Sequence, residues 1–338
     1  MVFLKRKEEN IMSKRKVCCW IALFMLGAIA AAGWTGEARA QEKYPSRAID
    51  IIVPFSAGGS TDLTARVVSA YLRKKWNIPV NVINKPGGNT LPAGLEVYNA
   101  KPDGYTLLLD GTPSFSMLPA VVKNLPFDLM KRTLFASIGI CPLIFSVHPS
   151  SPFQNLKDAV AEAKRDPENF TWTSLGGADM QTLAFRQFFK EIGVDVKKTK
   201  PVMSQGGSQA IVLTAGGNVK MGGGSIPSSL PAINGKTVRP LAITGKNRWP
   251  DLPDLLTAPE QGYPGLTASE YKSISGPPET PSYIVEIWEK AFEEMANDPE
   301  ARAQLKKVGM MPFYKNSKDI KEYTINEMKL VRELWGLN

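Results

Sequence analysis

Between Ile49 and Lys75 the chain reads IDIIVPFSAGGSTDLTARVVSAYLRKK. Its first part, with the β-favouring Ile49, Ile51, Ile52 and Val53 before Pro54 and Phe55, has the pattern of a buried strand. Its last part, Thr61–Lys75, puts Leu63, Val67, Val68, Tyr71 and Leu72 on one helical face. Between them lies a Ser56-Ala57-Gly58-Gly59-Ser60 turn, with one acid, Asp62, in the first helical turn. Such a connection points a helix N-terminus, with its free N–H groups and positive dipole end, out of the carboxyl end of a strand. Glycine lets a ligand approach that backbone with no Cβ in the way. The competing reading is a tight strand–helix connection that holds nothing.

The pattern then continues. Pro79–Asn84 reads as a strand, Leu91–Asn99 as a short helix, and Asp103–Asp110 as a turn entering a third strand. Pro142–Pro149 reads as a strand closed by proline, followed by a helix over Asn155–Arg165. Asn169–Ser174 is a strand entering a second glycine turn, LGGAD, and Met180–Ile192 the helix after it. A further helix follows QGGSQ (Gln205–Gln209), and Val238–Thr244 is a strand. Residues 245–265 read as an ordered loop, and the last helices as Ser282–Asn297, Pro299–Val308 and Ser317–Trp335. Short strands alternating with helical patterns imply an α/β fold. Two strand–glycine turn–helix units facing each other from two lobes would form a clamp for a carboxylate.

Composition narrows the function. The chain has 338 residues, 43% hydrophobic and 22% charged, ordinary for a globular protein. Lys14-Arg15-Lys16, the apolar run Val17–Ala32 and Ala38-Arg39-Ala40 have the layout of a secretory signal cleaved after Ala40. An uncleaved anchor is the alternative, and Met12 is a second candidate start. Export would remove Cys18 and Cys19 and leave Cys141 alone, with no internal disulfide. Residues 1–40 carry seven Lys/Arg and three Asp/Glu, so totals of 41 and 32 fall to 34 and 29, a net +5. Those cations are scattered and form no aromatic-interleaved basic stripe, so no nucleic acid partner is expected.

Enzyme chemistry finds little to stand on. His148 is the only histidine, and its place before Pro149 suggests a turn. With one cysteine it cannot supply the usual zinc set. No G-x-S-x-G elbow, P-loop or G-x-G-x-x-G follows a strand. No cofactor and no metal are expected. Trp172, Trp249, Trp288 and Trp335 read as packing residues, and Cys141 as a small buried hydrophobe.

Pro54–Asp62, PFSAGGSTD, resembles the P-F-x-x-G-G-x-x-D signature of the receptors of the tripartite tricarboxylate transporter family, the Bug-type solute-binding proteins. The resemblance continues through YPSRAIDIIVPF, INKPGGN, KPDGYTLLL, LPFDLMKR, PLAITGKNRWPDLPDLLTAPEQGYPG and the closing PPETP, spanning Tyr44 to Leu337. It implies a type II periplasmic-binding-protein fold, two α/β lobes joined by two crossing segments near Ile140 and Ser269. Lobe one is then 44–140 plus 269–338, and lobe two 141–268. It also implies a small carboxylate held between two loops by backbone N–H groups, small hydroxyls and waters. Carried onto this sequence, loop one is Phe55, Ser56, Ala57, Gly58, Gly59 and Asp62. Loop two is Thr173, Ser174, Gly176, Gly177, Ala178 and Asp179. Thr112, Ser114, Gly206 and Gly207 are further lining residues.

The implied function is periplasmic capture of that carboxylate for the membrane subunits of an ion-driven importer, by a monomer. A ligand-binding partner of a membrane sensor kinase and an exported enzyme are the alternatives. Three departures concern the ligand. Ser204 and Gln205 stand where the family often has an aromatic and a cation, Gly224 where an Asp is common, and Asp179 and Thr182 alter the second loop. An acid at Asp179 predicts a ligand with one carboxylate and a neutral or amine-bearing remainder.

Overall fold

The computed structural model describes residues 44–337 apart from 178, 205 and 206. The expected signal segment, residues 1–40, lies outside the described residues, and no described helix is long and apolar enough to cross a membrane. From Arg47 onward the chain forms one compact unit.

Strand β1 (Ile49–Val53) leads to helix α1 (Ser60–Trp76), then β2 (Val80–Asn84), α2 (Leu91–Tyr98) and β3 (Thr106–Gly111). A helical segment from Pro113 ends in the single turn α3 (Leu118–Val121). β4 (Thr133–Val147) follows, then α4 (Leu156–Arg165), β5 (Thr171–Ser174), α5 (Met180–Glu191), β6 (Lys200–Met203) and α6 (Gly207–Ala215). After these come β7 (Gly222–Ser225), α7 (Ile226–Asn234), β8 (Arg239–Ile243) and β9 (Ser269–Gly276). The chain closes with α8 (Ser282–Asn297), α9 (Pro299–Lys307), β10 (Met311–Lys315) and α10 (Ser317–Trp335).

One strand joins two sheets. In the first, the order is β10-β4-β9-β3-β1-β2, with β1 parallel to both its neighbours and β9 antiparallel to β3 and β4. β4 pairs with β9 as far as Cys141↔Glu270 and Pro142↔Ser269. From Leu143 onward it pairs instead with β7 and β8. The fifteen-residue β4 is much longer than the strand expected from Pro142. Its first half, TLFASIGI, is almost wholly buried, so it lacks the polar alternation that marks a half-exposed strand.

The GGGS tetrapeptide, Gly222–Ser225, is a buried strand rather than a loop. Its glycines have a packing reason. A Cβ on Gly222 would sit 1.8 Å from the Thr214 hydroxyl, and one on Gly224 2.9 Å from the Ile211 side chain. Helix α6 therefore lies directly on this strand, a closeness that side chains would prevent. β6, β7, β9, β10 and α7 are elements that periodicity did not reveal.

Two cores result. On the lobe-one side Trp288 packs against Phe135, Phe292 and Trp76, and Ile320 packs with Phe115, Leu134 and Tyr271. On the lobe-two side Phe145, Phe170, Trp172, Phe185, Phe188 and Phe189 form an aromatic cluster. Val331 belongs to that second core, with Leu334 and Trp335 packed against it. The Arg186 guanidinium stacks 4.3 Å from the Trp335 ring and donates to the Leu334 carbonyl at 3.0 Å. Helix α10 thus packs on both cores, through Ile320 on one and Val331 on the other. The physical reason is its apolar C-terminal turn: each such side chain fully buried contributes roughly 1.5–3 kcal/mol.

Candidate functional site

Both glycine loops lie at the carboxyl ends of their strands, and register places those ends near the crossing. The C-terminal residue of β3, Gly111, pairs with Lys272, two residues from Glu270; β1 runs parallel to β3. In the other lobe Ser225, the end of β7, pairs with Leu143, and β5 runs parallel to that segment through Trp172↔Met221. Open α/β sheets bind ligands in this position, outside the carboxyl ends of the strands.

In loop one Phe55 is half-buried, and Ser56, Ala57, Gly58 and Gly59 are exposed. Gly58 adopts φ +81°, a left-handed conformation that glycine takes without strain. Its N–H donates to Asp62 Oδ2 at 2.8 Å, and Arg66 Nε donates to the same oxygen at 3.0 Å. Asp62 is 1% exposed. Burial works against its carboxylate, but the bonds from Arg66 and Gly58 outweigh it and the pKa is lowered. Asn84 Nδ2 holds the Phe55 carbonyl at 3.0 Å. Gly59 is the N-cap of α1 and offers no side chain, so the donors of that first turn are not capped from within.

Loop two is tied more tightly to itself. Asp179 caps α5: Oδ1 accepts the Thr182 N–H at 2.9 Å and Oδ2 the Thr182 hydroxyl at 2.5 Å. The Gly177 N–H approaches Oδ2 at 3.4 Å. Ser174 Oγ bonds Thr182 Oγ1 at 2.7 Å and accepts the Gly176 N–H at 3.0 Å. Burial raises the Asp179 pKa against these bonds. Asp179 therefore gives no ground for expecting a one-carboxylate ligand. The acid is engaged on both oxygens by its own loop, where it satisfies helix donors. Gly176, at φ +82°, lies under the exposed Met203 side chain, whose Cε a Cβ there would meet at 2.1 Å.

The remaining expected residues sit deeper. Thr173 is fully buried and its hydroxyl accepts the Gly223 N–H at 3.0 Å. Thr112 and Ser114 are 0% and 1% exposed. The Thr112 hydroxyl accepts the Tyr271 N–H at 3.3 Å, and the Ser114 hydroxyl bonds the Asp110 carboxylate. Gly207 opens α6; Ala178 and Gly206 lie outside the described residues.

Three polar residues went unread in the sequence. Gln181, in the first turn of α5, is 5% exposed, with Oε1 buried and unpartnered and its amide beside Gly207. That oxygen is a buried acceptor without a partner; its signal was only a Gln two residues past the cap. Lys272 and Glu270, on one face of β9, form a buried pair at 2.6 Å. Their i, i+2 spacing was visible, but the strand that gives it meaning was not. Nearby, burial pushes the Asp110 carboxyl up to about 6 and lowers Arg132 to about 10. Burial also pushes the Cys141 thiol up to about 12, which keeps it an inert thiol. Trp172 is buried, with its Nε1 bonded to Thr199 Oγ1 at 2.8 Å, so it packs rather than stacks a ligand. No group of metal-ligating side chains occurs among the described residues.

These features define a two-lobed α/β protein whose glycine loops stand at the carboxyl ends of strands near the crossing. A sequence profile described as "Tripartite tricarboxylate transporter family receptor" matches residues 64–334, and the chain belongs to that family. Among its relatives, a UPF0065 protein of Bordetella bronchiseptica is 30% identical over 76% of each chain. Protein BugT of Bordetella pertussis is 28% identical over 79% of this chain and 81% of that one. Of solved structures, one titled as a periplasmic transporter is 27% identical, with a TM-score of 0.76 over 87% of this chain and 97% of that one. A Rhodopseudomonas palustris protein solved with adipate has the same fold, at TM-score 0.77 and 24% identity over 87% and 98%.

Proposed function

We propose that this chain captures a small carboxylate between the two glycine loops and delivers it to the membrane subunits of a tripartite tricarboxylate-type importer. The observation that carries this reading is the uncapped first turn of α1 behind the exposed Gly58-Gly59 backbone, set at the crossing of the two lobes. Phe55, Ser56, Ala57, Gly58, Gly59, Ser174, Gly176 and Gly177 line the ligand, with Gly207 and Gln181 beside them. Asp62 and Asp179 shape the loops, while Thr112, Ser114 and Thr173 support them from inside the lobes. The adipate in the R. palustris neighbour supports the ligand class. The protein works as a monomer, without cofactor or chemistry of its own, in the periplasm after cleavage following Ala40.

Thermal-shift screening of residues 41–338 against mono-, di- and tricarboxylates, aromatic acids and amino acids tests the reading. A stabilised melt with at least one carboxylate class is expected, and none with any class defeats it. N-terminal sequencing of exported protein should begin at Gln41; retention of Val17–Trp34 would show an anchor instead.

A further inference from the structure

Under loop one lies a charge pair that none of the loop motifs includes. Glu270 and Lys272 point to one face of β9, the crossing strand whose Glu270 pairs with Cys141 at the point where β4 changes sheets. The Lys272 side chain is wholly buried. Its Nζ donates to Thr61 Oγ1 and to Glu270 Oε1, each at 2.6 Å, and lies 5.9 Å from the Phe55 ring. A second acid, the buried Asp110, acts on Lys272 from the end of β3. Lys272 is thus turned away from solvent and paired with acids, of which Asp110 is also met by the buried Arg132. Glu270 is different: its side chain is 12% exposed, and its other oxygen, Oε2, accepts from Ser60 Oγ at 3.5 Å at the start of α1. It therefore carries a carboxylate to the same helix N-terminus that the glycine loop presents.

This inference rests on the carboxylate-receptor reading and names the ligand's charge. We propose that Glu270, held in place by the buried Lys272, is the specificity-determining residue of the cleft. The site takes one carboxylate at the glycine loops and accepts a neutral or amine-bearing group on the Glu270 side. A second ligand carboxylate about 4–5 Å from Glu270 would lose roughly tenfold in affinity, because the paired Lys272 ammonium offsets most of the bare-charge repulsion. An ammonium or hydroxyl there would instead meet an acceptor already fixed in position.

The test measures affinities by calorimetry for straight-chain monocarboxylates, the α,ω-dicarboxylates and the amino acids of matching length. Wild type should prefer the monocarboxylate or amino acid over the matching dicarboxylate by at least tenfold. Glu270→Gln should move that ratio at least tenfold toward the dicarboxylate, and Lys272→Met should move it the other way. If Glu270→Gln does not fold, the charge-neutral Glu270→Gln/Lys272→Met double variant carries the test, with discrimination lost. A wild type that binds dicarboxylates best, with a ratio indifferent to these variants, overturns the inference and leaves the receptor reading intact. A wild type that binds no carboxylate overturns both.

Discussion

Loop one and loop two share a sequence pattern and differ in how they spend their hydrogen bonds. Each has a strand, a left-handed glycine and a helix with an acid at its start. In loop two the acid is the N-cap, and Asp179, Thr182 and Ser174 satisfy one another and the glycine N–H groups. In loop one the acid is Asp62, three positions past the cap, bonded back to Gly58 and sideways to Arg66. The helix it opens is left without a capping side chain. Position of the acid decides this difference: at the cap it consumes a helix donor, and in the first turn it braces the loop and leaves the helix without a side-chain cap. In the proposed reading loop one receives the anion, and loop two is a wall shaped by its own hydrogen bonds.

The largest effect should come from removing each acid. Asp62→Ala deletes a 1%-exposed carboxylate and strands the Gly58 N–H, so a loss of about 2–3 kcal/mol is expected in urea unfolding. Asp179→Ala removes a cap and should cost about 1 kcal/mol, largely recovered by Asp179→Ser. Equal costs at the two sites would erase the distinction between brace and cap.

Next come the glycines that face outward. Gly177 has open space where a Cβ would stand, and Gly59 only the Ser56 carbonyl at 3.4 Å, so Val at either adds bulk to the cleft rather than to the core. Each should weaken ligand binding more than tenfold, about 1.4 kcal/mol, with the melting temperature nearly unchanged. If both variants bind as wild type does, the loops only connect strand to helix.

The smallest effect is in titration. The Asp62 pKa is lowered and that of Asp179 raised, so carboxyl NMR should show Asp179 protonating first on acidification. The linkage signs are opposite. Asp62 contributes stability above its unfolded pKa of 3.8 that is lost as pH falls through its lower folded value. Asp179 holds its proton more tightly when folded, so its contribution declines as pH rises from 3.8 through its folded value. Reversed titration order would contradict the Arg66 and Gly58 bonds to Asp62 and the burial of Asp179. Away from the loops, burial pushes Glu327 up to about 8, so Glu327→Gln should remove a decline in stability between about pH 4.5 and 8.

Legibility from sequence followed local physics. The ends of α8 and α10, Ser282–Asn297 and Ser317–Trp335, are readable because amphipathic faces mark both, with Pro281 before the first and the Asn316 cap before the second. Loop one was readable because glycine, proline and the helical period coincide within a dozen residues. β4 was read at half its length because it is buried along both sheets, and β7 not at all because three glycines carry no side-chain pattern. Gln181 and Glu270 were passed over because nothing near them in sequence distinguishes them from surface polar residues.

By itself the sequence determined the alternation of strands and helices, the family and the two glycine turns, all of which depend on residues within one turn or one strand of each other. Only the tertiary structure decided that Asp179 is a cap, that α10 packs on both cores, and that Glu270 meets Ser60 across 210 positions of chain. The reason is that charge placement depends on which elements pack together, and that packing is a sum over long-range contacts which no local pattern encodes.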